Sequence, residues 1–291
     1  MRVLVTGASG QVGTEIVSEL RRRAEVRRRG TGLEVVAADH GRLDVGDRDA
    51  VLAAMATVQP HVVVHAAAWT AVDACEDDPD RSFKVNSLGT RHVAEGARMA
   101  RAHLCYLSTD YVFDGTSPRP YVEWDTPNPL SVYGRSKLGG ELELDPGDTV
   151  VRTAWVCGRT GTNMARTVLR QAAGAGPLRF VDDQRGSPTV ASDLARVVVD
   201  LSLERRRGVF HVTNQGATTW AGFARAVLLA AGHDVARVEP ITTADLLPPR
   251  RAPRPANSVL DNAAMRGSGM ALLPDWEQAV TRLVTELTTQ L

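Results

Sequence analysis

The sequence predicts an α/β fold: a doubly wound parallel sheet with helices on both faces, followed by a smaller C-terminal lobe. Three observations carry this. A glycine-rich turn follows a short apolar strand at residues 2–6. Strand-like runs then alternate with helical patterns as far as residue 153. Beyond about residue 155 the rhythm loosens into Gly/Pro-rich segments. Strands alternating with helices imply parallel pairing through right-handed crossovers.

The elements follow in order. Residues 2–6 read as a buried strand, and 11–23 as a helix with Val12, Ile16, Val17 and Leu20 on one face. A second strand spans 33–38, and a helix at 47–58 carries Val51, Leu52 and Met55. A third strand at 61–65, a long helix at 82–101 and a fourth strand at 104–108 come next. Residues 131–144 read as a helix and 149–153 as a fifth strand. Further helices are expected at 163–173, 193–203 and 276–287, and a short strand at 209–212. The prolines of 248–255 impose an irregular loop, and 174–188 is Gly/Pro-rich. The expected division is a dinucleotide-binding domain of 1–160 and 180–215, and a substrate-binding domain of 161–179 and 216–291.

The turn Gly7-Ala8-Ser9-Gly10-Gln11-Val12-Gly13 sits between the first strand and first helix. Its glycines allow a tight turn and close backbone approach to a pyrophosphate, and the helix N-terminus offers free N–H groups to it. This is the Rossmann arrangement, with NADPH or NADH as the expected ligand. Asp39 ends the second strand, where a carboxylate accepts from the adenosine ribose. Arg42 could instead meet a 2′-phosphate. With both present, either cofactor is expected, with a modest preference for NADPH. Ala66, Ala67 and Ala68 follow the third strand and are small enough for a cofactor to lie flat over them.

Tyr133-Gly134-Arg135-Ser136-Lys137 places a phenol and an ammonium four residues apart, on one helix face. The ammonium is expected to lower the phenol's pKa toward neutral-pH proton transfer. Only two lysines occur, Lys84 and Lys137, among 34 basic residues. Lys84 reads as a solvated surface residue. Ser108 and Thr109 end the fourth strand, at the edge where open α/β sheets bind ligands. Thr109 is expected to hold a substrate carbonyl, and Ser108 to satisfy backbone.

Formal net charge is zero, so no long-range field favours nucleic acid or an anionic membrane. The basic run from Arg21 to Arg29 reads as the solvated end of the first helix and its exit loop. Cys75, Cys105 and Cys157 form neither a disulfide framework nor a zinc knuckle, and no metal site is expected. The absence of a signal-peptide core and of a bilayer-length apolar run makes a cytoplasmic setting the expectation. No G-x-S-x-G or H-E-x-x-H motif supports a hydrolase.

Together these residues resemble the short-chain dehydrogenase/reductase superfamily and, within it, the dTDP-4-dehydrorhamnose reductase family. The resemblance covers essentially the whole chain. Besides the glycine turn and the Tyr133–Lys137 motif, it rests on 66–73 and on Ser108-Thr109-Asp110-Tyr111-Val112-Phe113-Asp114-Gly115. It also rests on Arg152-Thr153-Ala154-Trp155-Val156, Asp183-Gln184-Arg185-Gly186-Ser187-Pro188-Thr189 and Arg254-Pro255-Ala256-Asn257-Ser258.

The resemblance implies Thr109, Tyr133 and Lys137 as the catalytic trio. It implies that Gly10, Gln11, Val12, Asp39, Asp44, Val45, Ala66, Ala67 and Ala68 lie near the cofactor, and Asp110 and Trp155 near a nucleotide sugar. The activity it implies is reduction of the 4-keto group of a dTDP-6-deoxyhexose, giving dTDP-L-rhamnose. Arg152, Arg185 and Arg254 are then expected to face the diphosphate, and Trp155 to offer the sugar an apolar face. Some members dimerise around magnesium through glutamates. Glu15 matches one, but Ser192 stands at the partner position, which argues against a metal-linked dimer and leaves a monomer or homodimer. Two alternatives stay open: a 4-ketoreductase of antibiotic-sugar biosynthesis, and a non-catalytic cofactor-binding regulatory subunit. The intact trio argues against the second.

Overall fold

Strand and helix alternate from the first residue. The computed structural model describes residues 1–26 and 32–289. The elements are β1 (Arg2–Thr6), α1 (Gln11–Val26), β2 (Glu34–Ala38), α2 (Arg48–Val58), β3 (Val62–His65), α3 (Val72–Asp77), α4 (Pro79–Phe83), α5 (Gly89–Met99) and β4 (His103–Thr109). Then come α6 (Val132–Glu141), β5 (Thr149–Thr153), β6 (Val156–Cys157), α7 (Met164–Ala172), β7 (Leu178–Val181), β8 (Arg185–Gly186), β9 (Thr189–Val190) and α8 (Ala191–Leu203). The last are β10 (Gly208–His211), β11 (Thr218–Thr219), α9 (Trp220–Ala230), β12 (Val238–Ile241), α10 (Ala263–Gly267) and α11 (Trp276–Thr289).

Six strands form a parallel sheet in the order β10-β5-β4-β3-β1-β2. Successive side chains point to opposite faces, so β1 splits its residues between two cores. Val3 and Val5 pack with Ile16, Leu20, Leu194 and Val198 of α1 and α8. Leu4 packs with Val51, Met55, Val93 and Ala97 of α2 and α5. A separate apolar cluster joins α7, β7, α9, β12 and α11 through Val168, Phe180, Phe223, Val227, Trp276 and Leu283.

The sheet helices and strands expected from sequence are present, with ends moved by a few residues. The helix expected at 82–101 is instead three pieces. Lys84–Leu88 is a π-helical turn between α4 and α5. A π turn admits an extra residue and re-aims side chains, and here it buries Asn86 toward the site. Residues 174–188 are not wholly irregular, since β7 and β8 lie within them. Helices α3 and α9 and strand β12 were not anticipated. Of the basic run, Arg21, Arg22 and Arg23 lie on α1, with Arg22 and Arg23 both bonded to Glu19. Arg27, Arg28 and Arg29 lie outside the described residues. All three cysteines are buried free thiols. Among the described residues no helix is long and apolar enough to cross a membrane.

Candidate active site

The glycine turn packs closely against its own neighbours. Gly7 has φ +66°, and a Cβ on it would lie 2.6 Å from the backbone of Ala67. A Cβ on Gly13 would collide with the Gly7 carbonyl. Only glycine meets both demands. Gln11 and Val12 open α1, so the helix's free N–H groups face this turn. Ala66, Ala67 and Ala68 leave β3 half-buried beside it.

The groove of about 620 Å³ beside the turn is lined by Ala8, Ser9, Thr14, Arg21, Asp39 and Arg42, among others. Asp39 Oδ1 accepts from the Arg42 backbone N–H at 3.0 Å. Carboxylate and guanidinium therefore share one mouth, as their three-residue spacing suggested. Asp44 is an exposed turn residue whose Oδ1 accepts from Gly46 N at 2.9 Å. Val45 is buried, and its carbonyl meets His92 Nδ1 at 3.0 Å.

Tyr133, Lys137 and Thr109 are all buried, Thr109 at the carboxyl end of β4 and the other two on α6. Thr109 ends β4, and its Oγ1 donates to Asp110 Oδ1 at 3.1 Å. Ser131 caps α6, its hydroxyl accepting from Gly134 N at 3.1 Å, which sets the helix phase carrying Tyr133 and Lys137. Lys137 Nζ donates to the Leu107 carbonyl at 2.7 Å and lies 4.1 Å over the Tyr106 ring. Burial pushes Lys137 down to about 7, opposed by Glu141. Burial, and secondarily the Lys137 charge, push His65 down to about 3.

The Tyr133 phenol corrects the expectation from sequence. Burial raises its pKa above the ordinary tyrosine range, with the Thr109 hydroxyl pulling the other way. Desolvation of the phenolate outweighs any help from a lysine that is itself desolvated and directed to a carbonyl. Ser108 also departs from expectation. Its hydroxyl donates to Glu141 Oε1 at 2.5 Å rather than to backbone.

Sequence reasoning missed Asn86. Its Oδ1 accepts from Trp69 N at 2.8 Å, and its Nδ2 donates to Trp69 O at 3.1 Å and Ser136 Oγ at 2.9 Å. One amide thus ties the 66–69 segment to the helix of Tyr133 and Lys137. No sequence signal pointed to it, because 82–101 reads as one continuous helix.

Asp110 is buried with Oδ2 unpartnered. Desolvation raises its pKa to about 6, opposed by hydrogen bonding from Ser258 and Thr109. A second cleft, about 320 Å³, is lined by Tyr111, Arg179, Gln184, Trp220, Arg250 and Arg254, among others. Arg254 clamps Asp73 with bonds of 2.5 and 2.8 Å, and this guanidinium holds the carboxyl down at about 2.

The expectation that Arg152 faces a diphosphate fails. It is buried against Glu141 at 2.6 Å, because an inward-facing charge at mid-sheet requires a partner. Arg185 is exposed and is not a lining residue of the cleft, where Arg179 and Arg250 stand instead. Its backbone bonds Ala256 and Ser258, both at 2.8 Å. Trp155 is half-buried with φ +44° and stacks on Trp220 at 3.5 Å and 4°. A left-handed non-glycine residue costs on the order of 1–3 kcal/mol and needs surrounding structure to persist. Glu15 is paired with Arg159 at 2.8 Å. Among the described residues no group of three or more His, Cys, Asp or Glu side chains is disposed to hold a metal ion.

Comparison with known proteins agrees with this geometry. A family model described as RmlD substrate binding domain matches residues 1–289. A Streptomyces antibioticus protein named "Probable dTDP-4,6-dihydroxy-2-methyloxan-3-one 4-ketoreductase" is 42% identical, covering 96% of this chain and 93% of its own. A dTDP-4-dehydrorhamnose reductase of Streptomyces griseus is also 42% identical, covering 96% and 92%. The crystal structure of dTDP-4-dehydrorhamnose reductase from Bacillus anthracis, in complex with NADP, superposes with a TM-score of 0.91 at 33% identity, covering 98% of this chain and 99% of that one. With a full-length family match and relatives this close, the chain belongs to the RmlD family of dTDP-4-dehydrorhamnose reductase-like proteins.

Proposed function

We propose that this chain reduces the 4-keto group of a dTDP-4-keto-6-deoxyhexose with NADPH or NADH, converting dTDP-4-dehydrorhamnose to dTDP-L-rhamnose. The observation that carries this is the burial of Thr109, Tyr133 and Lys137 at the end of the sheet where the parallel strands terminate, the same end that holds the glycine cradle. The cradle fits a dinucleotide: Gly7 and Gly13 let the turn close on Ala66, Ala67 and the start of α1, which keeps the free N–H groups of the helix N-terminus turned to the pyrophosphate. When bound, the reduced nicotinamide supplies a hydride equivalent to the carbonyl carbon.

The chain's own residues supply the rest. Tyr133 holds its proton at neutral pH because burial disfavours the phenolate, so it can donate to the carbonyl oxygen as charge develops there. The Thr109 hydroxyl gives that oxygen a second hydrogen bond. Lys137, anchored on Leu107 and with a pKa near 7, stands behind Tyr133 as a group able to return a proton. The unpartnered Asp110 Oδ2 is available to accept from a sugar hydroxyl. Arg179, Arg250 and Arg254 offer the diphosphate its cations.

Asp39 and Arg42 at one mouth support use of either cofactor with a modest NADPH preference, and the NADP-bound relative favours the same choice. The Streptomyces antibioticus relative supports a second reading, in which the ketone belongs to a deoxysugar of another pathway. The test supplies dTDP-4-keto-L-rhamnose and NADPH and follows loss of reduced-nicotinamide absorbance. Turnover that depends on Tyr133 is expected. No oxidation, in protein shown by calorimetry to bind NADPH, overturns the rhamnose reading.

A further inference from the structure

Trp155 is held in a conformation its own backbone disfavours. Its φ is +44°, immediately after β5, whose neighbour β4 ends in Thr109. Three contacts hold it there. Its carbonyl accepts from Thr189 N at 3.2 Å. Its indole lies against Gly186 so closely that a Cβ there would overlap the ring. Trp220 covers it in a near-parallel stack, 3.5 Å between centroids.

Trp220 is itself fixed from both sides. It begins α9, whose cap Thr219 accepts from Gly222 N and donates to Asp182. Thr218 and Thr219 pair with Gly186 and Arg185 across β11 and β8. Trp220 packs into the core of the second lobe, whereas Trp155 packs with Val112, Phe113 and Leu260 behind β4 and β5. The stacked pair thus joins two separate apolar clusters, and Trp220 is the member of the pair that lines the cleft.

We propose that Trp220 is an apolar contact for the sugar nucleotide and Trp155 its positioning residue. Trp155, held in the left-handed conformation against Gly186, backs the Trp220 indole, so that the sugar nucleotide meets a preformed apolar wall. The proposal rests on the ketoreductase reading above. Pre-ordering a wall lowers the cost of binding the sugar and leaves the hydride and proton steps alone. The signature is therefore a raised KM for the sugar nucleotide with kcat retained.

The test compares full-length wild type with Trp220→Ala, Trp220→Phe, Gly186→Ala and Trp155→Ala. Near-UV circular dichroism should show an exciton signal from the stacked indoles in wild type, absent from Trp220→Ala. In Trp220→Ala the KM should rise roughly three- to tenfold, the scale of an aromatic pair. Its kcat and calorimetric NADPH affinity should stay within about twofold of wild type. Phenylalanine should restore most of the KM. Gly186→Ala should raise the KM and disturb the exciton signal with Trp220 intact, and it carries the test if Trp220→Ala fails to fold. Trp155→Ala and Trp220→Ala should be non-additive in KM, because one acts through the other.

Additive effects would mean that Trp155 does not act through Trp220 and would overturn the positioning role. So would an unchanged KM in folded Trp220→Ala or Gly186→Ala. Wild type that binds NADPH yet reduces no 4-keto sugar nucleotide overturns the ketoreductase reading instead.

Discussion

Tyr133 and Asp110 are neighbours whose burial has the same effect on their protonation and opposite consequences for their use. For Tyr133, burial keeps the proton that the reaction consumes. Replacing it with phenylalanine should lower turnover by about 10²–10⁴-fold, the usual contribution of a general acid, while NADPH affinity survives. Near-normal turnover across pH would sink its role. For Asp110, burial opposes the carboxylate and lifts the pKa from 3.8 to about 6. Between these values the folded chain binds more protons than the unfolded one. Its contribution to stability therefore falls as pH rises from about 4 to about 6, and stays low above that. Asp110→Asn should remove this slope and gain up to about 3 kcal/mol at pH 7. It should also raise the sugar-nucleotide KM, since an amide presents an N–H where the carboxylate accepted. Urea unfolding of both proteins at pH 4 and pH 7 checks the first claim. An equal stability difference at both pH values refutes it.

Single elements carry the site's precision. Helix α6 brings Tyr133 and Lys137 to their places, and Ser131 both caps it and sets its entry. Ser131→Ala should destabilise the chain by about 1 kcal/mol, the usual worth of an N-cap. The loss should appear as a lower urea midpoint at an unchanged slope. At the first turn of α1, Gly13→Ala would drive a methyl group into the Gly7 carbonyl. The turn must open, so NADPH affinity by calorimetry should fall more steeply than global stability. An alanine variant that binds NADPH normally would show that the turn does not cradle the cofactor. The π turn before α5 belongs at this scale as well, because regular α-helix through Asn86 would re-aim the amide that ties Trp69 to Ser136.

Across the whole molecule, charge pairs connect distant segments. Arg152 of β5 and Glu141 at the end of α6 form a buried pair, and Ser108 donates to the same carboxylate. Glu141→Gln would strand the Arg152 charge and should cost about 3–5 kcal/mol. It would also remove the charge that supports Lys137, moving that lysine's titration to lower pH. Arg254 reaches from the proline-rich loop to Asp73 on α3, more than 180 residues away in sequence. Removing this arginine takes away a cation and frees a carboxylate beside the same cleft. Arg254→Ala should therefore raise the KM for the sugar nucleotide more than it lowers kcat. Equal losses in kcat and kcat/KM would assign Arg254 to the transition state instead.

The sheet, the glycine turn and the Tyr133–Lys137 helix were legible in sequence because each depends on local rules. Strand alternation, helical period, glycine spacing and an i, i+4 pair are all short-range. Family motifs extended that reading to the nucleotide sugar. Tertiary structure alone decided what depends on contacts between remote residues. Arg152 was free to serve a diphosphate in the sequence, but the fold buries it beside Glu141. A neighbouring lysine predicted a lowered Tyr133 pKa, yet desolvation by the assembled core reverses the sign. Asn86 was hidden inside an expected helix, and Trp220 in a segment without an assigned element. Both act across gaps in sequence that no local pattern encodes. Burial and long-range pairing set charge states and side-chain directions, and those properties exist only once the chain has closed on itself.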